Sequence, residues 1–477
     1  MGIVKKLGSQ TAYYGLSSVV GRLLNYLLVP LYTYVIIDPA QMGVVTYLYA
    51  LAALFNVFLS YGMETAFFRY MNDGESGVEK VRNTAFTSIF ITTSIFALLG
   101  IIFYQDIARW IEYENRAICI LYFVIIVAAD AYAIIPFARL RQEGKARLYA
   151  VIRIVGILVG IAFNVSFIYL LPRVGLMEVN VNNIFLSNVI SSVVVLVLLL
   201  WYVKGFRLQI DVRLWKKMLC YGAPILIAGT AGIVNETMDR VFLRELLPAD
   251  TREYYLGIYG NCFKMGIFIA LFTQAFRMAG EPFFFSRMRD LDAQKVYARV
   301  TLYYTMVIGV MYVAVMGNLD WLQYFVGEKY RVGMDIVPII LLANVCLGIY
   351  YNLSMWYKLT DRTVWGAYLS IIGAVVTVAV IFYGVPRVGY VAAAWAHLAT
   401  YGTMMILSYI LGQKFYPIPY DVMKIMLYIA VAVAMGYVSW YVLGGNVWIG
   451  NVFVVLYCVM VALVERKSIM AVVSKKR

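Results

Sequence analysis

Read from its first residue, the chain alternates apolar stretches of about twenty residues with short polar ones. Apolar runs of that length fit helices crossing a hydrocarbon layer of about 30 Å, at a rise of 1.5 Å per residue. They fall near 10–37, 42–62, 83–104, 116–138, 147–171, 182–203, 215–238, 254–277, 297–318, 335–356, 364–384, 390–411, 423–443 and 447–464. The pattern predicts an all-α integral membrane protein of about fourteen transmembrane helices. The longest polar stretches, around 205–214 and 286–296, leave no room for a domain outside the membrane.

Composition agrees with the pattern. Apolar residues make up 63% of the 477 and charged residues 14%, against roughly 45–50% and about 25% in soluble domains. A soluble fold of this length could not bury so much apolar surface. The basic opening Met1-Gly2-Ile3-Val4-Lys5-Lys6 runs into a full-length span, which predicts a retained first helix and not a cleaved signal peptide.

Loop charge sets the expected orientation. Eight of the 40 lysines and arginines (Arg109, Arg116, Arg173, Arg244, Arg252, Lys329, Arg331 and Arg387) fall on the odd-to-even loops. Five lie inside spans, and the other twenty-seven lie on the even-to-odd loops and the termini, including Lys475-Lys476-Arg477. The excess of basic residues marks the cytoplasmic side. A multi-pass protein with both termini in the cytoplasm follows. The net charge of +14 is then explained by an anionic lipid surface, with no need for nucleic acid.

An internal repeat divides the spans. Leu171-Pro172-Arg173-Val174-Gly175 at the end of span five returns as Val385-Pro386-Arg387-Val388-Gly389 at the end of span eleven. At nearly the same offset, Glu64-Thr65-Ala66-Phe67-Phe68 returns as Glu281-Pro282-Phe283-Phe284, and Asn25 is answered by Asn235. The matches predict two six-helix halves, 1–210 and 211–415, entering the membrane in the same direction. Residues 416–477 add two helices and a basic tail.

Chemistry is scarce. The five cysteines are dispersed and His397 is the sole histidine, so the sequence offers no zinc site and no Ser-His-Asp triad. The informative residues are charges in the spans. Arg22, Arg153, Arg240, Lys264 and Arg277 are basic; Glu64, Asp130, Glu236, Asp239 and Glu281 are acidic. Each would cost roughly 2.5–3.5 kcal/mol at the bilayer centre, so they are expected to face protein or water. Asn235, Glu236, Asp239 and Arg240 recur at three and four residues on span seven, as one polar stripe in which Glu236 can pair with Arg240. Arg22 and Asn25 share a face of span one, while Lys264 and Arg277 occupy different depths of span eight.

A cavity between the halves, lined by Arg22, Asn25, Arg153, Asn235, Arg240, Lys264 and Arg277, would suit a phosphate-bearing head group. Glu64, Asp130, Glu236, Asp239 and Glu281 would then bind a coupling cation, proton or sodium, or balance the bases. For Glu64, Asp130, Arg153 and Glu281, near helix ends, packing pairs with snorkelling side chains are an equal reading. The 40 tyrosines could stack on sugars but serve more often as interfacial anchors.

Three strings carry a resemblance. They are Asn235-Glu236-Thr237-Met238-Asp239-Arg240, the stretch from Gln274 to Phe285, and the opening Pro30-Leu31-Tyr32-Thr33 with Met42-Gly43. With two six-helix halves and no soluble domain, the chain resembles the bacterial polysaccharide-transporter branch of the superfamily that includes multidrug extruders and lipid II flippases. The resemblance implies two bundles in a V, open alternately to each side. It implies flipping of a polyprenyl-diphosphate-linked oligosaccharide for O-antigen, capsule or lipopolysaccharide assembly in the bacterial inner membrane. Its implied partners are that substrate, membrane lipids, a polysaccharide polymerase and assembly proteins, with the chain itself a monomer and no cofactor. Spans thirteen and fourteen could hold the lipid tail, as in the lipid II relatives. The main alternative is a cation-coupled multidrug antiporter. A membrane enzyme is disfavoured, because the outer loops near 105–115 and 239–253 show no nucleophile–base arrangement.

Overall fold

A computed structural model of the chain describes residues 19–36, 38–73, 77–202 and 204–466. Every regular element among them is a helix, as expected where no water is present to satisfy an open sheet edge. Among these residues, 12 helices are long and apolar enough to cross a membrane. Span twelve also forms, as Val391–Phe415, with His397, Thr400 and Ser408 diluting its apolar character. Span one is described from Val19 onward, as the apolar helix Val19–Val35. Its first residues and the basic tail lie outside the described residues.

By packing, the chain forms two compact units, Met1–Gly257 and Ile258–Arg477. Span seven therefore packs with the first six spans, and spans thirteen and fourteen pack in the second unit. This is a division by contact, whereas the expected division at 210 follows the repeat.

The first unit contains α1 (Val19–Val35), α2 (Pro39–Ser60), α3 (Met63–Met71), α4 (Val78–Ile102) and α5 (Tyr104–Trp110). It continues with α6 (Ala117–Gln142), α7 (Ala146–Val165), α8 (Asn182–Tyr202), α9 (Val212–Glu236) and α10 (Met238–Leu246). At its end α11 (Arg252–Phe263) begins. The central helix is α6, packed on α2, α4 and α8. Its buried Ala128, Ala129, Ala131 and Ala133 permit close approach, which is how helices associate where lipid tails are as apolar as leucine.

Span two is broken between α2 and α3, where Tyr61 and Gly62 take φ of 31° and 72°. Gly62 is required twice over, because a Cβ there would also stand 2.6 Å from the Gly222 carbonyl oxygen of α9. At the other end of α2, a Cβ on Gly43 would meet the Glu253 carbonyl oxygen at 2.0 Å. Asp211 caps α9 by accepting from the amides of Arg213 and Leu214, at 3.0 Å each. Those amides hold its carboxyl below the usual range.

The second unit contains α12 (Ile267–Ser286), α13 (Ala293–Gly317), α14 (Val337–Leu353), α15 (Met355–Leu359) and α16 (Val364–Val388). It ends with α17 (Val391–Phe415), α18 (Val422–Tyr437) and α19 (Val447–Val464). Helix α17 packs on both α14 and α16, and the hydroxyls of Thr377 and Thr400 meet at 2.7 Å between them. Both α18 and α19 lie on α13. Glu465, 3% exposed, accepts from Lys424 at 2.7 Å and Tyr428 at 3.2 Å. Val452, Val455, Val459 and Leu463 of α19 stay exposed, a face suited to lipid.

Gly317 and Gly450 bring α13 and α19 together, since a Cβ on Gly450 would lie 2.1 Å from the Gly317 carbonyl oxygen. Gly450→Val should destabilise the purified protein by about 1–3 kcal/mol, the usual cost of overpacking. Gly402→Val, which adds a Cβ with nothing within 4 Å, should shift thermal unfolding far less. Equal shifts for the two variants would disprove the contact.

Candidate functional site

The charges expected in the spans fall into separate clusters. In the second unit, α12 and α14 enclose a cleft lined by Thr273, Phe276, Arg277, Glu281, Tyr351 and Asn352. The Arg277 guanidinium lies over the Tyr351 ring at 4.8 Å, a cation–π contact that keeps the charge available at the cleft edge. Glu281, one turn further along α12, accepts from the Lys358 ammonium of α15 at 2.5 Å. Asn352 is 4% exposed. Its amide nitrogen donates to the Gly348 carbonyl at 3.1 Å, while its Oδ1 is buried without a hydrogen-bond partner. The cleft thus offers one guanidinium, a carboxylate, an amide oxygen and aromatic faces. Lys264 lies apart from it, in a tight turn between α11 and α12, donating to Asn261 at 3.2 Å.

In the first unit the polar stripe of span seven is interrupted. Thr237 takes φ of −140° between α9 and α10, so residues on either side no longer share one helical face. Arg240 consequently meets Asp239 at 3.3 Å and donates to the Glu236 main-chain oxygen at 3.0 Å. The expected Glu236–Arg240 side-chain pair is thereby replaced by an Asp239–Arg240 pair. Asp239 and Asn235 are buried, whereas the Glu236 side chain is exposed. Arg22 and Asn25, three residues apart on α1, are both exposed. Asp130 of α6 accepts from Ser192 of α8 at 2.9 Å, and Arg153 of α7 stacks over Phe137 at 4.4 Å. Glu64 of α3 pairs with Arg141 of α6.

A further buried ionic network uses residues whose sequence positions mark them as loop charges. Arg244 of α10, 2% exposed, lies between the rings of Tyr47 and Tyr113 at 4.5 Å each. It donates to Glu253 at 2.8 Å, the Tyr113 hydroxyl at 3.1 Å and the Ile111 carbonyl at 2.6 Å. Tyr113 also donates to Glu253 at 2.8 Å. Burial, followed by the Glu253 charge, pushes the Tyr113 phenol well up, so it remains a donor. Arg141, Lys358, Tyr351 and Asn352 likewise escape a reading by hydropathy. For Lys358 a signal existed, because it stands to Glu281 as Arg141 stands to Glu64 in the repeat.

Solved structures of a lipid II flippase and of MATE transporters share this fold. Lipid II flippase MurJ in an inward closed conformation superposes with a TM-score of 0.74 at 12% identity, over 95% of this chain and 99% of that one. An inward-facing multidrug resistance MATE family transporter gives 0.64 at 12% identity, over 85% and 95%. The Vibrio cholerae MATE transporter VcmN in its bent form gives 0.53 at 13%, over 90% and 98%. No curated protein matches the sequence. The family described as polysaccharide biosynthesis protein matches residues 7–279, more than half of the chain, and the protein belongs to that family.

Removing one partner of the Arg244 network tests its burial. Arg244→Met would strand the Glu253 carboxylate and should cost about 3–5 kcal/mol. The double variant with Glu253→Met should recover part of that loss. Additive losses in thermal unfolding would show that the two charges do not interact.

Proposed function

We propose that the chain flips a polyprenyl-diphosphate-linked oligosaccharide from the cytoplasmic to the periplasmic leaflet of a bacterial inner membrane, for O-antigen, capsule or lipopolysaccharide assembly. The observation that carries this reading is the Arg277 cleft in a member of the polysaccharide biosynthesis family. It sets a guanidinium, an amide oxygen and aromatic faces together at membrane depth. A guanidinium suits a diphosphate by forked, charge-assisted hydrogen bonds, while Tyr351 and Asn352 suit a sugar. Transport proceeds by alternating access of two six-helix halves, with Arg22, Asn25, Arg153, Asn235, Arg240 and Lys264 along the route. Both termini are cytoplasmic, and the chain acts as a monomer without a cofactor, feeding a polysaccharide polymerase. Glu64, Asp130, Glu236, Asp239 and Glu281 are the acids that would bind a coupling proton or sodium ion, or balance the bases.

A second reading, a cation-coupled multidrug antiporter, is favoured by the likeness to MATE transporters. The chain's charges favour the flippase, since basic and acidic groups balance in the spans and an organic cation would meet Arg277 unfavourably.

Loss of one charged hydrogen-bonding partner costs about 1.5–3 kcal/mol. Arg22→Ala, Lys264→Ala and Arg277→Ala should each cut surface polysaccharide at least about tenfold while the protein still inserts at normal levels. Normal polysaccharide from correctly inserted variants, or altered drug resistance with polysaccharide intact, would overturn the assignment.

A further inference from the structure

One ionic arrangement occurs twice, once in each unit and at one offset. Glu64 pairs with Arg141 and Glu281 with Lys358; the steps from 64 to 281 and from 141 to 358 are both 217 residues. Phe67 and Phe284 stand at the same step, and both are buried, at 0% and 3% exposure. They belong to matching apolar cores, the first with Ala138 and the second with Met355, again at that step. The pair and its packing thus occur at matching positions in both units, with arginine in the first and lysine in the second.

These pairs are poor staples. Side-chain exposure is 35% and 39% for Arg141 and Glu64, and 26% and 38% for Lys358 and Glu281. Ion pairs that wet contribute about 0–1 kcal/mol. The first also fastens a short helix lying beyond a break in its span, and the second ties the end of span eight to the end of span ten. Glu64 is on α3, behind the left-handed turn at Tyr61 and Gly62. Lys358 is on α15, which carries span ten onward past Ser354, a residue that stays right-handed helical. The Arg141 guanidinium also lies over the Phe68 ring at 4.9 Å, and Arg277 lies one turn before Glu281. In the second unit the buried, unpartnered Oδ1 of Asn352 lines the same cleft, an acceptor for a sugar hydroxyl beside the diphosphate and not for the diphosphate itself. Glu64, Arg141, Glu281 and Lys358 all fall at the ends of even-numbered spans, the side on which the loop lysines and arginines gather.

We propose that Arg141 and Lys358 are anion-accepting residues held in waiting by Glu64 and Glu281. A lipid diphosphate displaces the carboxylates because it offers more charge and more acceptor oxygens to the same cations. Within each unit, displacement frees the fastened segment, α3 at its break in the first and α15 from α12 in the second, so that head-group binding loosens that end of the unit. The identity of the diphosphate as a polyprenyl lipid rests on the flippase reading above.

The test uses the full chain in nanodiscs, titrated with undecaprenyl diphosphate and, separately, with inorganic pyrophosphate and phosphatidylglycerol. Arg141→Gln and Lys358→Gln should weaken undecaprenyl diphosphate binding about fivefold each, a change of about 1 kcal/mol. Glu64→Gln and Glu281→Gln should tighten it by a similar factor, an improvement that misfolding cannot mimic. A purely structural latch would move all four variants in the same direction, and that result would overturn the proposal. Equal competition by phosphatidylglycerol or pyrophosphate would overturn the assignment to a lipid diphosphate. Failure of the unaltered chain to bind undecaprenyl diphosphate would sink the flippase reading itself; binding with four unchanged variants would sink only the latch.

Discussion

The structure depends on one constraint: within the hydrocarbon layer nothing but the protein can satisfy a charge or a main-chain amide. Helices follow at once, and ions that the fold removes from water are paired for the same reason, inside a span or beside one. Arg244 has Glu253, two tyrosine faces and a main-chain carbonyl around its guanidinium. Asp239 has Arg240, and Glu465 has Lys424 and Tyr428. Breaks in the helices fall under the same rule. The interruption at Thr237 is satisfied within its own chain, its amide donating to the Ile233 carbonyl and its hydroxyl to the same oxygen.

Since burial of apolar surface cannot drive helices together in lipid, close approach must do so. This explains why glycine contacts recur where elements cross: Gly62 with Gly222, Gly43 with Glu253, Gly317 with Gly450. It also explains why apolar side chains such as Val452 and Val459 face outward. Hydropathy thus locates the spans, and small residues decide which spans meet.

That separation sets what could be read in advance. Span positions and the all-helical class are local properties of the sequence, and hydropathy suffices for them. Span twelve was legible by length although His397 and its hydroxyl-bearing neighbours thin its apolar character. Partner choice is not local. The stripe through Asn235 and Arg240 assumed unbroken helical spacing, and the turn at Thr237 redirected Arg240 to Asp239. Arg244 looked like a loop cation because it is close in sequence to Pro248 and Asp250, yet tertiary packing buries it beneath Tyr47. Lys358 could have been found only by applying the repeat offset to pairs of residues, and Glu281 alone gives no reason to look 77 positions onward.

The first unit shows how unequal fastening can give a direction to movement. Helix α2 is held near both ends. At one end Tyr47 packs on the Arg244 network, where breaking a desolvated pair costs about 3–5 kcal/mol because it strands a charge. At the other, the turn at Gly62 leads into α3, whose Glu64–Arg141 pair is open to water and worth about 0–1 kcal/mol. A perturbation shared by both ends would therefore release the second first. The difference does not come from the chemistry of the partners, since both are arginine with glutamate. It comes from how much water reaches them, and the fold sets that by stacking two tyrosines over one guanidinium and leaving the other beside a helix break.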